Sequence, residues 1–171
     1  MVKLRVLGVL LVGLISFLAC EKDDICVDGD TPLLVIEFYD TNDSTTLKVV
    51  PKLRVIGLGK DITAIDKDRT DLNTISIPLK ITETSTSFSL IKNSADTSDT
   101  DNTDTGNIDT LTFTYELSDE YVSRACGFIA NYNGITAALT TDSDNWIKGI
   151  EFIATDINLE NINTTHVKIY H

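Results

Sequence analysis

The stretch Asp109-Thr110-Leu111-Thr112-Phe113-Thr114-Tyr115-Glu116-Leu117 alternates without a break. Leu111, Phe113, Tyr115 and Leu117 share one face, and threonines and Glu116 take the other. An extended backbone sends successive side chains to opposite sides, so a period of two with one apolar face predicts a half-buried β-strand. No segment carries a sustained helical period, and this strand therefore decides the fold class.

Upstream, residues 75–81 alternate in the same way, with Pro78 on the outward side, and residues 86–92 are expected to pair with them as a hairpin across Glu83-Thr84-Ser85. Residues 61–73 are polar and read as a connection. Leu47, Val49, Leu53 and Val55 alternate with Lys48, Lys52 and Arg54. Pro51 lacks the N–H a ladder needs, which predicts an edge strand or a bulge there. Residues 33–39 form an apolar run closed by the turn-forming cluster Asp40 to Ser44.

Downstream, residues 121–130 read as a mixed strand carrying Cys126 and Gly127, and Asn131 to Gly134 as a turn before a strand at 135–139. Residues 146–154 and 164–170 complete the set. About eight short strands predict an all-β fold, an antiparallel β-sandwich over 32–171 with immunoglobulin-like topology. A jelly roll or small barrel is the alternative.

The N-terminus carries a different signal. After Lys3 and Arg5, the 14 residues from Val6 to Ala19 are almost wholly apolar, too short a run to span a bilayer as a helix. This predicts a signal peptide over 1–19. Leu18-Ala19-Cys20 resembles a bacterial lipobox, with Phe17 where the usual pattern has Leu. The resemblance implies cleavage before Cys20 and acylation of its thiol, with ~0.8 kcal/mol of membrane affinity per buried CH₂. Residues 20–31 then form a lipid-anchored linker. Within it, Lys22-Asp23-Asp24 resembles the lipoprotein export signal of Bacteroidota, which implies display on the outer face of the outer membrane; the periplasmic face is the alternative.

Cleavage before Cys20 leaves 152 of 171 residues, enough for one domain with its own core. Losing Lys3 and Arg5 takes the net charge from −12 to −14. A chain this acidic, without a basic patch, is no nucleic-acid binder. With Cys20 acylated, Cys26 and Cys126 remain as an even pair in an oxidising compartment, which predicts a disulfide. Neither has a His or Cys at ligand spacing, so no metal and no cofactor is expected.

Residues 93–107 are nearly free of apolar side chains and read as a flexible Asp/Thr/Ser-rich loop. Asp96, Asp99, Asp101 and Asp104 suggest calcium. A loop of the EF type wants an oxygen ligand at position 5 and Gly at 6, where this chain has Thr103 and Asp104. Asp43-Ser44-Thr45 and Asp109-Thr110-Leu111 resemble an Asp-Ser/Thr-aliphatic O-glycosylation motif, which makes Ser44 and Thr110 candidate acceptors. His166 and His171 stand beside no nucleophile motif, and Asp119-Glu120 reads as a solvated turn, so no enzyme activity is expected. Trp146, after a polar loop, and Tyr132, in the expected turn, are candidate platforms for stacking a sugar.

Taken together, Cys20-Glu21-Lys22-Asp23-Asp24-Ile25-Cys26, the run from Thr31 to Asp40, and Arg124-Ala125-Cys126-Gly127-Phe128 resemble a family of Bacteroidota lipoproteins with a domain of unknown function. The resemblance extends over nearly the whole mature chain and implies location and fold, without catalytic residues. The expectation is a non-enzymatic surface lipoprotein with a structural or interaction role, or alternatively a carbohydrate- or nutrient-binding accessory module of an uptake system. Its partners would be the membrane, through the lipid on Cys20, and an unknown protein or glycan.

Overall fold

The computed structural model describes residue 26 and residues 31–95, 104–158 and 160–171. Ten strands and no helix occur among them: β1 (Leu34–Asp40), β2 (Asp43–Leu47), β3 (Val50–Gly57), β4 (Thr70–Leu72), β5 (Thr74–Ile77), β6 (Ser85–Lys92), β7 (Asn107–Ser123), β8 (Gly127–Leu139), β9 (Gly149–Phe152) and β10 (Val167–Tyr170). They form two five-stranded sheets, neither closed on itself. The chain is a β-sandwich.

In the first sheet β1 is central. Its residues 36–39 pair in parallel with Val167–Tyr170 of β10, and β9 lies beyond β10. Both β5, opposite Leu34 to Glu37, and β2, opposite Tyr39 and Asp40, share the other edge of β1. The second sheet runs β4-β3-β6-β7-β8. Within it Ser85–Lys92 of β6 pair antiparallel with residues 107–114 of β7.

The core fills the space between the inner faces. From the first sheet come Leu34, Ile36, Phe38, Ile75, Ile77, Val167 and Ile169, and from the second Leu53, Val55, Phe88, Leu90, Leu111, Phe113 and Tyr115. Alternation places them there, because every second residue of each strand faces the opposing sheet. Each such side chain contributes about 1.5–3 kcal/mol when fully buried.

Five expectations change. The strand at 75–81 stops at Ile77, because Pro78 has no N–H to continue the ladder. Its partner is β1, whereas β6 pairs with β3 and β7; residues 78–84 cross between sheets and make no hairpin. The connection at 61–73 contains β4, paired with β3. The turn expected at 131–134 lies inside the continuous β8, and the reversal falls at residues 124–126. Gly134 takes φ +60 in mid-strand, where its N–H donates to Asp156 at 2.9 Å. Finally, the sheets are not wholly antiparallel, since β1 and β10 run parallel.

The Pro51 expectation resolves as a bulge. β3 lies between β4 and β6, and its register slips between Val50 and Leu53. Lys52 adopts φ +42, with its N–H held by the Asp71 carboxylate at 2.9 Å. The extra residue shifts the alternation, so that Val50, Leu53 and Val55 are all buried while Val49 is exposed.

Candidate functional site

The described residues form two compact units: Cys26 with Tyr121–Phe128, and the rest of the sandwich. In the smaller unit Cys26 and Cys126 are joined by a disulfide with their Cα atoms 4.8 Å apart, across a separation of 100 residues. Ser123 Oγ accepts the Cys126 N–H at 3.1 Å, and Gly127, at φ +70, takes a left-handed conformation that a side chain would oppose. Tyr121 is 55% exposed and Phe128 69%, and their rings meet edge to face with centroids 5.3 Å apart. Arg124 is exposed beside them.

Trp146 and Tyr132, the expected sugar platforms, are core residues, 6% and 0% exposed. The stacking expectation is overturned, because neither ring offers a face to solvent. Tyr132 donates its hydroxyl to Leu79 O at 3.0 Å and meets Tyr115 edge to face at 5.0 Å. Burial, with a smaller contribution from Tyr115, pushes its pKa up to about 12. Trp146 donates Nε1–H to Leu90 O at 3.2 Å and packs against Phe38 and His171. Lys92 Nζ stands 5.6 Å from the centre of its ring.

The group that draws Trp146 inward is Asp109, the first residue of the alternating stretch 109–117 and part of the candidate glycosylation motif at Thr110. Asp109 is fully buried, and its carboxylate accepts from Ile147 N–H at 2.8 Å, Asn145 Nδ2 at 3.2 Å and Trp146 N–H at 3.3 Å. A readable signal existed, since Asp109 has the same parity as Leu111, Phe113 and Tyr115 and so belongs to the core face. Its neighbour Thr110 is half-buried and pairs with Ser89 in the ladder. Ser44 lies on β2, exposed along its whole length.

Asp104 closes the base of the polar loop rather than offering itself to calcium. Its carboxylate accepts from Ser94 Oγ at 2.5 Å, Gly106 N–H at 3.0 Å and Ala95 N–H at 3.1 Å, with Arg54 Nη1 at 3.8 Å. Burial acts to raise its pKa, but these donors and Arg54 outweigh it and hold the group below the usual aspartate value. A side chain at Gly106 would meet Ile91 at 2.6 Å and Lys92 O at 2.7 Å, so only glycine fits this return. Asp96, Asp99 and Asp101 lie outside the described residues, as do Cys20, Lys22, Asp23 and Asp24. Among the described residues no group of three or more His, Cys, Asp or Glu could hold a metal ion.

His166 is fully buried; its Nδ1 accepts the Val35 N–H at 2.9 Å and its Nε2 faces Asn161 O at 3.1 Å. It fastens β1 to the segment entering β10. Asp119 and Glu120 are exposed residues of β7 rather than a turn, and Glu120 accepts from Asn131 Nδ2 at 2.6 Å. The sandwich also has a concavity of about 450 Å³ lined by Leu33, Ala64, Ile65, Lys67, Leu72 and Ile75. Two shallow neighbours of about 410 and 480 Å³ share Leu33 with it.

A model of a family of unknown function, DUF6452, matches residues 52–171. The chain belongs to this family. The DUF6452 match begins within β3 and takes in Asp109, Cys126, Tyr132 and Trp146. Cys20, Cys26 and the run from Thr31 to Asp40 lie before it, so the match covers less of the chain than the resemblance read from the sequence. No curated protein and no solved structure matches this DUF6452 member.

Proposed function

We propose that this member of a family of unknown function is a non-enzymatic lipoprotein of the Bacteroidota cell envelope. It is held by acyl chains on Cys20, faces the cell exterior and serves a structural or interaction role. The observation that carries the reading is the Cys26–Cys126 disulfide. Such a bond suits an exported chain, and it joins Cys26, six positions beyond Cys20, to the turn at Cys126. The buried polar groups named above are engaged in holding strands and loops together, which suits a rigid display scaffold. Intact-mass measurement of envelope-extracted protein tests the anchor: the expected chain begins at an acylated Cys20. Protease shaving of whole cells tests the exposed face.

A second reading rests on the concavity beside Leu33. Its volume falls within the usual range for small-ligand sites, roughly 300–1,000 Å³. A nutrient- or glycan-binding accessory module would use this surface rather than Trp146 and Tyr132. Glycan-array binding lost on Leu33→Glu would favour it.

A further inference from the structure

We infer that the disulfide-bearing turn is a membrane-contacting foot, in which Tyr121 and Phe128 enter the bilayer interface and Arg124 meets lipid phosphate. The inference deepens the anchor reading above and rests on it.

Three observations converge. First, Tyr121 and Phe128 are 55% and 69% exposed, yet pack edge to face at 5.3 Å, so they present a joined aromatic surface to solvent. Exposed aromatic pairs cost free energy in water; a tyrosine favours the level of lipid headgroups, where its apolar ring and its hydroxyl are both satisfied, and a phenylalanine favours the apolar side of that boundary. Second, the turn itself carries one positive charge and no negative one, although Asp119 and Glu120 directly precede it. Residues 121–128 hold Arg124 and no Asp or Glu, in a chain with 26 acidic residues. An anionic lipid surface repels the rest of the chain and tolerates this turn.

The third observation is covalent reach. Cys126 is bonded to Cys26, and six residues separate Cys26 from Cys20. Fully extended, six residues span at most about 20 Å. Adding the 4.8 Å across the disulfide, an acyl chain on Cys20 keeps Cys126 within about 25 Å of the membrane surface. The effective concentration of the aromatic pair at the bilayer is correspondingly high, so even a marginal interfacial affinity is realised.

The test uses the full chain, expressed with its own leader and reconstituted into phosphatidylethanolamine–phosphatidylglycerol vesicles. Phe128→Trp and, separately, Tyr121→Trp place a fluorophore in the foot. The buried Trp146 gives a common background, read from the unsubstituted protein. Intact mass reports acylation, and a non-reducing digest reports the Cys26–Cys126 bond in each variant. The expected result is an acylated chain whose added indole shifts to the blue and loses emission to lipids brominated in the acyl chain. An acylated, disulfide-bonded chain whose added indole emits as in water, unquenched in both variants, overturns the foot and leaves the anchor standing. A chain without fatty acid on Cys20 overturns both.

Discussion

The carboxylate of Asp109 accepts the backbone N–H of Ile147 at 2.8 Å, linking the start of β7 to the approach of β9 across 38 residues. With Asn145 and Trp146 also donating to it, one buried side chain shapes the loop that delivers Trp146 to the core. Asp109→Ala leaves the buried N–H groups of Trp146 and Ile147 without an acceptor, while Asn145 Nδ2 keeps Thr140 O at 3.1 Å, and should destabilise by roughly 3 kcal/mol, since each buried unmet donor costs about 1–3 kcal/mol. Asp109→Asn should fall between, because an amide nitrogen would face a donor. Urea denaturation followed by Trp146 fluorescence checks the order.

Tyr132 of β8 holds the segment that crosses between the sheets through a single hydroxyl, donated to Leu79 O. Tyr132→Phe keeps the packing against Tyr115 and should cost about 1 kcal/mol. Its pKa, raised to about 12 by burial, gives a pH signature. Above pH 10 the unfolded chain loses this proton first, so stability is intact below about 10 and falls as pH rises towards about 12. In Tyr132→Phe that part of the alkaline decline should disappear, as read from denaturation midpoints between pH 9 and 12.

His166 predicts the opposite limb. Burial pushes its pKa below 6.5, with the Asn161 carbonyl opposing, and burial is also the main cause of the lowered value at His171. A protonated His166 could not accept the Val35 N–H. Below pH 6.5 the unfolded chain takes up the protons first, so stability should fall from pH 6.5 downward and be fully present above it. The carboxylate of Asp104, held below 3.8, acts only at lower pH. Midpoints measured from pH 7.5 to 5 should show the loss, and His166→Gln should shallow it.

Reduction of the disulfide should lower stability without changing the sandwich. For a closed loop of about 100 residues chain entropy gives up to about 4.7 kcal/mol. The comparison is thermal unfolding with and without reductant, and Cys26→Ser with Cys126→Ser should match the reduced protein. An unchanged melting temperature would mean that the link constrains only the small unit containing Cys26.

Much of the fold was legible because alternation is a local property. The face of Leu111, Phe113 and Tyr115, the interruption of the ladder at Pro51 and the pairing of the two cysteines each follow from residues near one another or from simple counting. Strand partners were not legible. Nothing within 75–92 says that β5 joins β1 while β6 joins β3 and β7; Pro78 only ends one ladder. The aromatic site was misread for a related reason, since an aromatic after a polar loop looks exposed until the acceptor that pulls it inward is known.

By itself, the sequence determined an all-β chain, an interrupted ladder at Pro51 and its cysteine pair, because side-chain parity and proline chemistry act over a few residues. Only the tertiary structure decided which strands meet, that β1 and β10 run parallel, and that Asp109 buries Trp146. Those outcomes depend on groups tens of residues apart reaching hydrogen-bond distance, and spacing along the chain does not encode that distance.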